Sequence, residues 1–234
     1  MNNDIAAIRP VQVAAENLRK TYQLGKETIE VLRGVTLEIR EGETVSITGA
    51  SGAGKSTLLH MLGGLDAPTS GTVRWRGSNL YTMNGRQRNT IRAEKVGLVF
   101  QFFHLLPELD LIENVLLPVW SRRGALKRAH LHRQRATELL DRVGLSHRLH
   151  HRPLELSGGE QQRAAIARAL IHNPEIVFAD EPTGNLDSKT GEQVLNYLFE
   201  LTALEKHTLV LVTHNEAVAM RCERQMVIRD GALG

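Results

Sequence analysis

One short segment, residues 45–57, constrains the possible folds of this chain more than any other. It begins with apolar residues in alternation, as a strand does, and continues as GASGAGKST at residues 49–57. Apolar residues at helical spacing follow at 58–62. Strand, glycine-rich loop and helix in this order are the context expected of a phosphate-binding P-loop. Glycine lets successive backbone N–H groups curl around one phosphate cluster, and the helix N-terminus adds unpaired N–H groups.

The side chains of this loop predict distinct roles. Lys55 would reach the β- and γ-phosphates of a nucleotide, and the hydroxyl of Ser56 would ligate Mg²⁺. The alternative, a glycine-rich turn that matches by chance, does not account for the flanking strand and helix. The candidate nucleotide-binding residues of the loop are Gly49, Ala50, Ser51, Gly52, Ala53, Gly54, Lys55, Ser56 and Thr57.

Composition indicates an ordinary globular protein. The chain has 234 residues, of which 41% are hydrophobic and 24% charged, enough for one sizeable core. A formal net charge of +3, with no basic run interleaved with aromatic residues, argues against nucleic acid as a partner. Cys222 is the one cysteine, so no internal disulfide can form, which is typical of a reducing compartment.

Neither a signal peptide nor a membrane span is expected. The first residues, Met1 to Asp4, lack a basic region followed by an apolar one. Apolar stretches such as 115–120 fall far short of the ~20 residues that cross a bilayer. We therefore expect a cytoplasmic protein whose link to a membrane, if it has one, runs through a partner.

The segment before the P-loop predicts an antiparallel β patch. Residues 11–47 combine alternating apolar residues with turn signals, which we interpret as several short strands. Tyr22 lies in this patch and, if exposed, could stack on a nucleotide base. A surface or packing tyrosine is the alternative, and Tyr22 alone does not decide between them.

Residues 102–153 predict a helical lobe inserted into an α/β core. Strand signals vanish, and Leu126, Ala129, Ala136, Leu139, Leu140 and Val143 fall at helical spacing. Five histidines of the lobe are potential metal ligands, but no cysteine or carboxylate cluster accompanies them, so we interpret them as surface residues. They are His130, His132, His147, His150 and His151.

Polar residues directly follow three compact apolar runs, each of which predicts a buried strand. Ligand groups cluster at the carboxyl ends of strands in open α/β sheets, so these polar residues should share one edge. Asp180 would complete the Mg²⁺ shell, and Glu181 could orient or deprotonate an attacking water. Gln101 and His214 follow the other two runs, and His214 is placed to contact a γ-phosphate.

A second helix N-terminus suited to an anion begins at Ser157. Ser157 would cap a helix from 161 to 172, with Gly158 and Gly159 opening its amide end. A good N-cap and nothing more is the alternative interpretation. One chain rarely needs two phosphate cradles unless it dimerises around the ligand.

Together these motifs resemble those of the ATP-binding cassette (ABC) ATPases, over nearly the whole chain. The matching motifs are Walker A (49–57), the Q-loop Gln101, the signature LSGGE (156–160), Walker B (176–181), the D-loop (185–187) and the switch histidine His214. The resemblance implies an α/β P-loop NTPase core with an antiparallel β patch and an inserted helical subdomain. It also implies one nucleotide-binding domain over 1–234, with a RecA-like core at about 11–101 and 161–234 and the helical subdomain at about 102–160.

The same resemblance implies a head-to-tail homodimer that holds two ATP. Walker A of one subunit and the signature of the other, with Ser157 and Gly159 foremost, would bind each nucleotide. The implied catalytic residues are Lys55, Glu181 and His214, and the implied Mg²⁺ ligands are Ser56, Gln101 and Asp180. Further nucleotide contacts fall on Tyr22, Gln101, Ser157, Gly158, Gly159, Glu160 and Asp187. Phe102 to Leu117 would border a groove for a cytoplasmic helix of a membrane partner.

Narrower features are similar to the LolD lipoprotein-releasing ATPases. They are LLHMLGGLD at 58–66, QFFHLLP at 101–107 and the histidine–arginine pairs before the signature, whereas DEPTGNLD at 180–187 is shared with MacB and FtsE relatives. Glu160 stands where many ABC proteins have glutamine, a departure that this subfamily shares. The resemblance implies a peripheral ATPase on the cytoplasmic side of a bacterial inner membrane, bound to LolC/LolE-like permease subunits.

Other functions stay open at this point. A MacB-like export ATPase and an FtsE-like signalling ATPase share most of these motifs. A soluble ABC ATPase of ribosomes or DNA repair usually carries two cassettes or a long coiled-coil insertion, and this chain has neither.

Overall fold

Two sheets and seven helices make up the part of the chain that the computed structural model describes, residues 9–120 and 129–234. The predicted apolar position Leu126 lies outside these residues. The strands are β1 (Val11–Leu24), β2 (Glu27–Arg40), β3 (Thr44–Thr48), β4 (Ser70–Trp75), β5 (Ser78–Asn79), β6 (Val96–Val99), β7 (Ile176–Asp180), β8 (Thr208–Val212), β9 (Arg224–Arg229) and β10 (Ala232–Leu233). The helices are α1 (Lys55–Leu62), α2 (Gly85–Lys95), α3 (Leu111–Trp120), α4 (Ala129–Arg142), α5 (Gly158–Leu170), α6 (Ser188–Leu204) and α7 (Glu216–Ala219).

The central sheet has the order β10-β9-β3-β8-β7-β6, and all its pairings are parallel except that of β10 with β9. Successive side chains of a strand point to opposite faces, and both faces of this sheet are covered. Ile176 and Phe178 pack with helix α1 on one face, whereas Val177 and Ala179 pack with the helical lobe on the other. The sheet therefore separates two apolar cores.

The predicted antiparallel β patch is present, but its strands differ from the prediction. Strands β2-β1-β4-β5 form the second sheet, and β1 and β2 are each 14 residues long rather than several short pieces. Asn17 has φ 48° and Gly34 has φ 89°, and register shifts interrupt the β1–β2 pairing beside Asn17. These β-bulges bend the strands without ending them, which local turn signals cannot distinguish from strand ends.

The helical lobe contains α3 and α4 and two short 3₁₀ turns at 146–148 and 153–155. Its apolar residues join those of α5, α6 and one sheet face in a single buried cluster. The exact division of the chain into core and subdomain stays a prediction. Helix α5 begins at Gly158 rather than at 161 because the side chain of Ser157 caps it there. None of the helices in the described ranges is both long and apolar enough to cross a bilayer.

Helix α2 was not predicted. It buries none of its residues and is strongly polar, so it lacks the apolar periodicity by which helices are usually found. One local signal was available: Asn84 and Gln87 form a capping box, in which each side chain accepts from the backbone N–H of the other.

Candidate nucleotide-binding site

The loop at 49–54 connects β3 to α1 and requires glycine at both ends. Gly49 has φ 148°, and a Cβ there would lie 2.3 Å from the carbonyl oxygen of Ile228. Gly54 has φ 100°, and its Cβ would lie 2.7 Å from the side chain of Leu32. The loop is therefore a tight backbone cradle at the N-terminus of α1, and any side chain at either glycine would have to displace a neighbour.

Lys55, the first residue of α1, is folded back over the loop. Its Nζ donates to the carbonyl oxygens of Gly49 and Ala50, each at 3.0 Å, and only 8% of the residue is exposed. Both acceptors are neutral carbonyl groups, so the ammonium charge of Lys55 lies at the cradle. An anion held by the loop would meet this charge directly.

Ser56 and Asp180 come together as predicted from the sequence. The hydroxyl of Ser56 donates to Oδ1 of Asp180 at 2.9 Å, and Nε2 of His60 lies 3.9 Å from Oδ2. Burial raises the pKa of Asp180, an effect that the Ser56 hydrogen bond and His60 only partly oppose. His60 was not predicted to lie here, although it follows Ser56 by one helical turn.

The donor set around Asp180 fits Mg²⁺. A serine hydroxyl and an aspartate carboxylate are hard oxygen ligands, and nucleotide phosphates usually supply much of the remaining shell. Within the described ranges, no group of three or more His, Cys, Asp or Glu residues could hold a metal by itself. The site thus resembles one that shares its ion with a substrate.

Glu181 and His214 also meet at the predicted edge of the sheet. Nδ1 of His214 lies 2.8 Å from Oε2 of Glu181, so the carboxylate accepts a hydrogen bond from the imidazole ring. Glu181 has φ 46°, a left-handed conformation that costs free energy outside glycine and often marks functional residues. Within the part of the chain that the structure describes, Oε1 of Glu181 takes part in no hydrogen bond.

Gln101 lies at the same edge, at the end of β6, but its side chain contacts the loop after Glu181. Its Nε2 donates to Oδ1 of Asn185, and Nδ2 of Asn185 returns a hydrogen bond to the Gln101 carbonyl, both at 3.1 Å. Gln162 was missed from the sequence: it is fully buried on α5 and donates to the carbonyls of Phe100 at 3.0 Å and Pro182 at 2.7 Å. The Gln162 amide thus joins helix α5 to the segments that follow β6 and β7.

Residues 157–160 have different neighbours from Lys55 and Ser56. A Cβ on Gly158 would lie 3.3 Å from Leu186 and 3.5 Å from Phe103, and one on Gly159 would lie 2.3 Å from Thr190. Ser157 and Glu160 form a capping box at the start of α5. Residues 157–160 therefore lie beside residues 183–190, whereas Lys55 and Ser56 lie on the P-loop side of β7.

Two further predicted residues have well-defined partners. The hydroxyl of Tyr22 donates to Oδ2 of Asp66 at 2.7 Å, and Nζ of Lys20 lies 4.8 Å from the centroid of its ring. Tyr22 is 40% exposed, so one aromatic surface stays accessible for stacking, which remains a prediction. Asp187 caps helix α6 by accepting from the backbone N–H of Thr190 at 3.0 Å, and hydrogen bonds with Thr190 lower its pKa.

The lobe histidines have several kinds of surroundings. His130, His147 and His150 are exposed, and Nδ1 of His150 lies 2.9 Å from Asp110. His151 is partly buried and accepts from Arg148 at 2.9 Å.

Taken together, the parallel sheet, the glycine cradle with its buried lysine and the carboxylates at the strand ends define a P-loop nucleotide-binding protein.

Comparison with known proteins narrows this class. The sequence profile of the ABC transporter family matches residues 32–184. The chain belongs to the ABC transporter family and is an ABC ATPase that binds ATP. It is 46% identical over 221 residues to the lipoprotein-releasing system ATP-binding protein LolD of Legionella pneumophila (strain Lens), a match covering 94% of this chain and 96% of the relative. The LolD protein of Xanthomonas axonopodis pv. citri (strain 306) is 48% identical, with 94% and 89% covered. The resemblance stated from the motifs is thereby confirmed.

Solved structures agree with the fold. The ATP-binding cassette MJ0796, solved as a dimer in a post-hydrolysis state with ADP and Pi, superposes with a TM-score of 0.85 at 45% identity, covering 94% of this chain and 96% of that one. CbiO1 of Clostridium perfringens, part of the ABC transporter complex cbiONQ, gives 0.82 at 25% identity, covering 97% and 88%. The predicted ABC ATPase fold is confirmed.

Proposed function

We propose that this chain is the ATP-hydrolysing subunit of a membrane complex that releases lipoproteins from a bacterial inner membrane. The observation that carries the proposal is the 46–48% identity to LolD proteins over 94% of the chain. The subunit would lie on the cytoplasmic side, bound to integral membrane permease subunits of the LolC/LolE type.

ATP hydrolysis would depend mainly on positioning and electrostatics. Lys55 and the loop amides hold the phosphates, while Tyr22 stacks on the adenine. Ser56, Asp180 and Gln101 would hold Mg²⁺, which, when bound, neutralises phosphate charge. Glu181, fixed by its hydrogen bond from His214, accepts a proton from the attacking water through its free oxygen.

Two copies would close head to tail over two ATP. Residues 157–160 lie away from the P-loop side of β7, beside Thr190 and Leu186, so a second subunit is needed to bring a signature onto each γ-phosphate. The dimeric state named for the MJ0796 cassette supports this arrangement. Ser157 and Gly159 would contact the partner subunit's nucleotide, with Asp187 close to the same interface.

A groove of about 350 Å³ beside Phe100 and His104 suits a helix of the membrane partner. The groove was expected along 102–117, but Leu111 and Leu116 are buried inside the lobe and cannot line it. His104, within that range, does line the groove, and its other walls are formed by α2, β6, Phe100, Pro118 and the C-terminal part of α5. Its charged lining residues are basic, Arg92 and Arg168, which favours a partner helix with an acidic residue.

Reconstitution tests the proposal. The subunit would be purified together with the membrane proteins encoded beside its gene and placed in liposomes that contain a fluorescent lipoprotein. ATP should release the lipoprotein, and Lys55→Ala should abolish release while leaving the complex assembled. Export of a small molecule without lipoprotein release would favour a MacB-like function, and ATP-dependent binding of a cell-wall enzyme without either would favour an FtsE-like one.

A further inference from the structure

Glu160 forms an unusually complete set of contacts at the start of helix α5. Its Oε2 accepts from the backbone N–H of Ser157 at 2.8 Å and from the Ser157 hydroxyl at 2.9 Å. Its Oε1 lies 3.4 Å from Nε of Arg148. The hydroxyl proton of Ser157 therefore points inward, to a carboxylate of its own helix.

A serine hydroxyl has only one proton to donate. If Ser157 is to donate to a phosphate oxygen, it must first give up the bond to Glu160. Bonds that involve an ionised acceptor are roughly twice as strong as neutral ones, so the carboxylate holds this proton firmly. In the proposed dimer, its negative charge would also lie beside the γ-phosphate of the partner subunit's ATP.

Arg148 moderates this effect. Its Nη1 donates to Nε2 of His151 at 2.9 Å, which holds the guanidinium in place beside Glu160. Among residues 9–120 and 129–234, the buried Nε of Arg148 has no hydrogen-bond partner, so the influence of Arg148 on Glu160 is mainly electrostatic. The hydrogen bond from the Ser157 backbone, together with Arg148, lowers the pKa of Glu160, which keeps the carboxylate charged at neutral pH.

We propose that Glu160 and Arg148 are positioning residues that set how readily Ser157 donates to the γ-phosphate of the partner subunit's ATP. Glu160 restrains the hydroxyl, and Arg148 weakens that restraint by offsetting the carboxylate charge. The pair would thus set the ATP concentration at which two subunits close. This inference rests on the proposed dimer and assigns Glu160 a restraining role rather than a simple contact with nucleotide.

Glu160→Gln gives the sharpest test. The amide oxygen can still accept the backbone N–H of Ser157, so the helix cap is kept, but the charge and the charge-assisted bond to the hydroxyl are lost. Half-maximal dimerisation should therefore need less ATP, by about fivefold or more, given the difference between charged and neutral hydrogen bonds. Arg148→Gln should shift the requirement in the opposite direction.

The titration is performed with the full chain carrying Glu181→Gln, so that hydrolysis does not empty the site. Dimer fraction is followed by analytical ultracentrifugation against Mg-ATP concentration for Glu160→Gln, Arg148→Gln and the double variant. Glu155→Gln is the matched control, because Glu155 also caps a turn of this lobe by accepting from a backbone N–H, that of Arg152. Thermal melting is measured in parallel for every variant, and the Glu155→Gln control should bind nucleotide as a monomer as well as the Glu181→Gln parent does.

The inference is supported if Glu160→Gln lowers the ATP requirement, Glu155→Gln does not, and Arg148→Gln acts only when Glu160 is present. An unchanged or raised requirement in Glu160→Gln overturns it. So does an equal effect of Arg148→Gln with either residue at 160, since Arg148 would then act on the phosphate itself. If Glu160→Gln does not fold, the Arg148→Gln shift alone decides. If the Glu181→Gln parent never dimerises, the proposed function fails as well.

Discussion

Arg168 provides a test of how strongly helix α5 stabilises the backbone beside the groove. From α5, its two terminal nitrogens donate to the backbone carbonyls of Phe103 at 2.6 Å and His104 at 2.5 Å. His104 has φ 49°, a conformation that a non-glycine residue keeps only when its surroundings enforce it. Replacing Arg168 with methionine keeps the apolar stem and removes both hydrogen bonds.

The size of the effect follows from these two bonds. A hydrogen bond from a charged donor contributes about 1.5–3 kcal/mol to stability. Both bonds share one side chain, and the freed carbonyls can bind water at the groove edge, so we expect a total loss of about 2–3 kcal/mol. For a chain of this length each kcal/mol lowers Tm by about 2–4 °C, which gives a fall of about 4–12 °C.

Hydrogen exchange locates the change. In Arg168→Met, amide protection should fall at residues 102–106 while the central sheet keeps its own. Arg163→Met is the matched control, since Arg163 on the same helix makes one hydrogen bond, 2.8 Å long, to the carbonyl of Val143. Unchanged protection at 102–106 in Arg168→Met, with melting no lower than in the control, would refute the reasoning.

Two further predictions concern the carboxylates. Glu181→Gln should leave ATP binding intact, slow steady-state ATP turnover by about 10²-fold or more and trap the dimer. Glu192 of α6 lines the same cleft as Glu181, and Glu192→Gln should turn over ATP normally. Normal turnover in Glu181→Gln would remove Glu181 from its role. Burial raises the pKa of Glu205, but Arg135 and His207 outweigh burial and leave it below its ordinary value of 4.5. The stability that Glu205 contributes is thus present above about pH 4.5 and is lost as pH falls through its folded pKa, so urea unfolding of wild type and Glu205→Gln should differ at pH 7 and converge in acid.

Local features of the sequence predicted the P-loop side of the site well. The meeting of Ser56 with Asp180 follows from the P-loop motif and from the rule that ligand groups gather at strand carboxyl ends. The same rule placed Glu181 and His214 at one edge of the sheet, whereas their hydrogen bond, made between the ends of the parallel neighbours β7 and β8, was not predicted. Each of these placements needs only one motif and the position of a residue at the end of a strand.

Contacts between distant segments could not be predicted in this way. Nothing near Arg168 in sequence indicates that it meets Phe103, since that contact depends on how α5 packs beside the Q-loop. Helix α2 was missed because a helix that buries no residue leaves no apolar pattern. The lengths of β1 and β2 were missed because a bulge and a turn draw on the same residue types.

Helix α5 has a mechanical consequence. Arg168 lies eleven residues after Ser157 on one unbroken helix, about 16 Å away at the usual rise per residue. Ser157 lies at one end of this helix. At the other end, Arg168 donates to the backbone beside the groove where a permease helix would bind. In the proposed complex, a permease helix bound in the groove would contact α5 near Arg168, and any displacement of this helix would also move Ser157 relative to the partner subunit's ATP.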